Sequence, residues 1–69
     1  MTPHQKAVNE WLTTQALSNN ISVLQASFEL PNHLSNVMQQ LTPRQQDEAL
    51  VKSLDDVRQI RTLADKERK

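Results

Sequence analysis

Apolar residues along this chain return every three or four positions, the spacing of one helix face, and strict alternation is absent. Val8, Trp11 and Leu12 fall on one side of a helix predicted over 3–18, with His4 and Gln15 beside them. Ile21, Leu24 and Phe28 line one face of a second helix over about 21–29, while Val23 and Leu30 lie on the other. A short helix with two apolar sides is expected to sit centrally in the fold. Leu34, Val37, Met38 and Leu41 form the stripe of a third helix over about 32–41, and its opposite face, Ser35, Asn36, Gln39 and Gln40, is polar and uncharged. Leu50, Leu54 and Val57, with Ile60 at the edge, line a fourth over about 43–66. There the pattern stops, because Arg61 lands on the apolar face and Leu63 points away from it.

The boundaries have their own chemistry. Thr2-Pro3-His4-Gln5 and Thr42-Pro43-Arg44-Gln45 each read as a helix start. The threonine hydroxyl caps a free backbone N–H, proline occupies a first-turn position where its missing N–H costs nothing, and glutamine closes a capping box. Asn19 and Asn20 end the first helix, since asparagine tolerates the left-handed conformation that glycine usually supplies and the chain has no glycine. Leu30-Pro31 ends the second, because a residue before proline avoids helical geometry.

The predicted fold is therefore all-α: a small bundle of three short helices plus one long C-terminal amphipathic helix. Residues 1–69 form a single domain with a core over about 3–60 and a frayed tail at 65–69. Composition adds a constraint on stability. A chain of 69 residues buries a modest core, and with no cysteine it has neither a disulfide nor a zinc cluster to staple it. A partner or a second copy is the expected supplement. At 1.5 Å per residue the fourth helix spans roughly 35 Å, more than the shorter ones can cover. Leu50, Leu54, Val57 and Ile60, with the Trp11 region, are the expected self-association surface of a homodimer. Glu48–Lys52, Lys52–Asp56 and Arg61–Asp65 are spaced as ion pairs along that helix, each contributing roughly 0.2–0.5 kcal/mol.

Charge narrows the function. Eight basic and eight acidic residues cancel, which argues against a generic polyanion binder. Only Lys6, Glu10 and Glu29 are charged in the first 43 residues. The second and third helices have the spacing of a helix-turn-helix, and Asn32, His33, Ser35, Asn36, Gln39 and Gln40 would form its reading face, asparagine and glutamine being suited to adenine. Yet no lysine or arginine lies between Ala7 and Pro43 to hold phosphates, and Glu29 occupies the turn where a small residue is usual. Interfaces between proteins, by contrast, are depleted of charge at their centres.

No catalytic, cofactor or metal motif is present. Two histidines without cysteine do not make a metal site. The acidic pairs Asp47/Glu48 and Asp55/Asp56 are interleaved with basic residues as on a solvated face. No apolar run reaches the length of a membrane span, and the N-terminus lacks a signal-peptide layout, so the expected location is the cytoplasm. The expected function is a non-enzymatic helical protein-binding module, a regulator, inhibitor or adaptor that covers a partner's surface. Trp11, Phe28 and Met38 are candidate anchors, each weighed against core packing, and Asn36, Gln39 and Gln40 are candidate rim residues. The alternatives are a dimeric helix-turn-helix transcription regulator and a structural subunit of a larger assembly.

Overall fold

The computed structural model describes residues 2–67. Four helices follow one another, α1 (Pro3–Asn19), α2 (Val23–Ser27), α3 (Asn32–Gln40) and α4 (Pro43–Glu67), and no strand occurs among the described residues. The chain is an all-α small bundle with a long C-terminal helix, as the periodicity predicts.

Both Thr-Pro starts form complete capping boxes. The Thr2 hydroxyl accepts the Gln5 N–H at 3.2 Å while Gln5 Oε1 accepts the Thr2 N–H at 2.9 Å. Thr42 and Gln45 repeat the exchange at 3.2 and 3.1 Å. At the far end of α1, Asn20 adopts the left-handed conformation (φ 54°, ψ 44°), and the Ile21 N–H turns back to the Ala16 carbonyl at 3.0 Å. Because a Cβ is strained there unless the side chain is Asn or Asp, Asn20→Ala is expected to lower stability by roughly 1–2 kcal/mol, while Asn20→Gly leaves it unchanged or slightly higher. Thermal melts of the two variants check this, and equal melting temperatures would count against it.

Helix α1 is the hub and touches the other three. Its cross-links to α4 run in the same order along both helices. Gln5 Nε2 donates to the Gln45 carbonyl and to Glu48, Asn9 Nδ2 donates to Asp56 Oδ2 at 3.3 Å, and Arg61 Nη2 donates to the Ala16 carbonyl at 3.2 Å. The two helices are therefore parallel, with α2 and α3 carrying the chain back between them. The core they enclose is Val8, Leu12 and Ala16 of α1, Val23 and Ala26 of α2, and Val57 of α4, with Trp11, Leu17, Ile21, Leu30, Val37, Met38 and Leu50 half-buried against it. Leu34 and Leu41 are buried where α3 meets the bundle.

Two helix faces differ from their predicted centres. On α1 the buried set is Gln5, Val8, Asn9, Leu12 and Ala16, so His4 is exposed and Gln15 only half-buried. On α4 it is Ala49, Ser53 and Val57. The reason is the close contact between the two helices. Small residues on α4 let the backbones approach, and the Ser53 hydroxyl reaches the Asn9 carbonyl at 3.5 Å as well as Ala49 at 2.9 Å. The amide N–H groups of Gln5 and Asn9 are spent across this seam, on Gln45, Glu48 and Asp56, while Asn9 Oδ1 and the Thr13 hydroxyl are buried without a partner among the described residues.

Helix α4 also closes the open ends of the others. Gln46 Nε2 donates to the Met38 and Leu41 carbonyls at the end of α3 (2.8 and 3.2 Å), and Arg61 donates to Ala16 and Ile21 at the end of α1. The Ala16 and Met38 carbonyls already accept a backbone N–H, from Ile21 and Leu41, so the α4 side chains add a second bond there. They also reach the Ile21 and Leu41 carbonyls just past the helix ends, where backbone partners run out. Of the predicted ion pairs, Lys52–Asp56 forms at 3.0 Å. Glu48 instead pairs with Arg44 at 3.7 Å and accepts from Gln5, and Arg61 is committed to α1 and not to Asp65. Beyond Val57, α4 has no buried residue, and it stays helical through Glu67. Of the tail expected to fray, residues 65–67 are exposed and helical, and residues 68–69 lie outside the described residues.

Candidate functional site

The shortest helix carries the most conspicuous surface. A serine cap that the hydrophobic pattern alone does not reveal sets the register of α2: Ser22 Oγ accepts the Gln25 N–H at 3.0 Å. Ser22-Val23-Leu24-Gln25 has the spacing of a capping box, which is the signal that would have placed the helix start at Val23. From that start, Val23 and Ala26 face inward. Leu24 and Phe28, four residues apart on one face, turn outward with 55% and 86% of their surface exposed. The face predicted to hold Ile21, Leu24 and Phe28 is split: Ile21 lies before α2 and is half-buried against the core, Leu24 and Phe28 point outward, and the inward direction of the helix belongs to Val23 and Ala26.

The Phe28 backbone is nonetheless anchored. Its N–H donates to the Gln25 carbonyl at 3.2 Å, the next N–H, of Glu29, donates to Ala26 at 3.0 Å, and Ser27 Oγ donates to the Leu24 carbonyl at 2.6 Å. An aromatic ring is thus presented to solvent from a hydrogen-bonded turn. Burying a Phe side chain gains about 1.5–3 kcal/mol, and this fold leaves that gain unused.

The other candidates divide. Trp11 and Met38 are half-buried and packed against the core cluster. Asn36, Gln39 and Gln40 are exposed on α3, with Asn32 and His33 also exposed at its start, so the uncharged amide face is real. Of the expected self-association residues, Val57 is buried inside this chain's own core and Leu50 is half-buried against it, so neither is a free surface group. Leu54 and Ile60 remain 42% and 44% exposed. Val51, which the predicted stripe omitted, is 56% exposed. The displacement follows from the Ala49–Ser53–Val57 seam, which turns Val51 and Leu54 outward.

The chain matches no family model, no curated protein and no solved structure. Its functional reading therefore rests on the surface itself. Helices α2 and α3 scarcely touch, since α2 packs on α1 and α4 while α3 packs on α1. A five-residue α2 docked separately from α3 is unlike a helix-turn-helix, in which the first helix braces the second. The surface of α3 carries no cation, and outside Lys6 the cations of residues 2–67 all lie on α4. Among the described residues, no cluster of three or more His, Cys, Asp or Glu is placed to hold a metal, and no helix is long and apolar enough to cross a membrane.

Proposed function

We propose that this protein is a non-enzymatic helical binding module that acts by laying the Leu24–Phe28 face of α2 against the surface of another protein, as a regulator, inhibitor or adaptor. The observation that carries the reading is the exposed Phe28 ring on a hydrogen-bonded turn, with Leu24 exposed on the same face. Aromatic side chains are enriched at interface centres, where charge is depleted, and α2 and α3 are free of charged residues. The exposed amides Asn36, Gln39 and Gln40 are suited to a polar rim. Occupation of a groove by Phe28 would block whatever else that groove binds, a steric mechanism that requires no cofactor. A helix-turn-helix regulator has less support, because its reading helix would lack both a bracing partner and phosphate contacts.

Phe28→Ser tests the reading. The ring contributes little to folding, so stability should stay within about 0.5 kcal/mol of the parent. Binding to a captured protein partner should weaken by at least about 30-fold, the scale of a hot-spot loss near 2 kcal/mol. Unchanged retention of the partner would sink the proposal, with circular dichroism confirming that the variant is folded.

A further inference from the structure

We propose that a second copy of this chain docks on the outer face of α4, antiparallel to it, across a two-fold axis lying between Val51 and Leu54. This surface is separate from the Leu24–Phe28 face and does not depend on its role. Asp47, Val51, Leu54, Arg58, Arg61 and Asp65 succeed one another at alternating intervals of four and three residues, the seam spacing of a paired helix, and all six are exposed. Val51 and Leu54 form the apolar centre of that seam. They open into a groove of about 590 Å3 between α2 and α4, in which Val23 and Val57 also take part.

The charges select the occupant and its direction. The first half of α4, Arg44 to Asp56, carries four carboxylates and two cations; the second half, Arg58 to Glu67, carries three cations and two carboxylates. A parallel second copy would lay like over like. An antiparallel copy lays the acidic half over the basic one. With Val51 of each copy opposite Leu54 of the other, the same register sets Asp47 opposite Arg58, twice, by symmetry. Neither Asp47 nor Arg58 makes an ion pair or a side-chain hydrogen bond among the described residues, and both project from the bundle. The one unfavourable apposition in this register, Arg44 with Arg61, is relieved within each copy. Arg44 pairs with Glu48, and Arg61 is drawn to the Ala16 and Ile21 carbonyls. An isologous contact of this kind is closed and stops at two copies.

A single pair of helices buries less than the roughly 800 Å2 per partner of a standard interface, so the dimer is weak and salt-sensitive. Sedimentation velocity of the intact chain from about 10 µM to 1 mM, in low salt, should show the mass rising from one copy towards two, the range in which such contacts saturate. Asp47→Arg alone and Arg58→Asp alone should each weaken association at least about tenfold, since each places like charges opposite one another at both ends of the seam. An equimolar mixture of the two variants should recover the dimer, because every opposed pair is then of opposite sign; the double variant in one chain should do the same. Both positions are exposed, so circular dichroism should be unchanged. A parent chain that stays a single copy throughout, or association indifferent to the single reversals, would overturn the proposal. So would single reversals that abolish association without rescue by mixing, because that pattern denies the antiparallel pairing. None of these outcomes bears on Phe28.

Discussion

Replacing Ser53 by leucine lowers the stability of this protein, although on a helical wheel the change extends the apolar stripe of α4. Ser53 is fully buried in the seam where α4 lies parallel to α1, and its hydroxyl meets the Ala49 and Asn9 carbonyls. A leucine there must force the helices apart or adopt a strained rotamer, at a cost of about 1–3 kcal/mol. The separation would also stretch the Gln5–Gln45 and Asn9–Asp56 bonds on either side. For a domain of this size each kcal/mol lowers the melting temperature by roughly 4–8 °C. Ser53→Ala, which preserves the close approach, should stay within about 1 kcal/mol of the parent. A leucine variant that melts at or above the parent temperature would show that the seam is not tight.

The second large effect is expected at Leu12. Its side chain is fully buried at the centre of the cluster formed with Val8, Ala16, Val23, Ala26 and Val57. Leu12→Ala removes apolar contacts and leaves a cavity, which costs about 2–5 kcal/mol. A domain of this length has of order 3–10 kcal/mol in total, so the variant should lose most of its resistance to urea. Leu24→Ala is the matched control, the same chemical change at an exposed position, and should shift stability by less than about 0.5 kcal/mol. If the two leucines responded alike in urea titrations followed by circular dichroism, the inward and outward faces of α1 and α2 would be misassigned.

The helix starts at Thr2-Pro3 and Thr42-Pro43 and the left-handed Asn20 have local causes, a cap, a ring or a tolerated dihedral, so they are legible residue by residue. The end of the second helix is not where Leu30-Pro31 puts it, because α2 stops at Ser27 and closes in a turn at Phe28 and Glu29. The stripe of α3 is legible too, because Leu34 and Leu41 are large and lie on one side. The α1–α4 seam is hidden, for it is built of Ala49, Ser53, Gln5 and Asn9, residues that an apolar pattern discounts. Its polarity is sustained by hydrogen bonds between positions forty or more apart in the chain. Once that seam is in place, the fate of the larger residues follows. Val57 turns inward, Val51 and Leu54 turn outward, and the Leu50–Leu54–Val57–Ile60 surface expected for self-association is broken up. Phe28 is the same lesson in a shorter element. Its outward direction is set by Ser22 six residues earlier, and a hydrophobic count gives the cap no weight.

A capture experiment distinguishes a protein from a nucleic-acid partner at the Leu24–Phe28 face most directly. Tagged parent protein and Phe28→Ser are each incubated with lysate, one portion treated with nuclease and one not, and the retained species are identified by mass. A defined protein should be held by the parent in both portions and lost with Phe28→Ser. Retention of nucleic acid alone, abolished by nuclease and unaffected by Phe28→Ser, would contradict it and make Asn36 and Gln40 of α3 the residues to replace next.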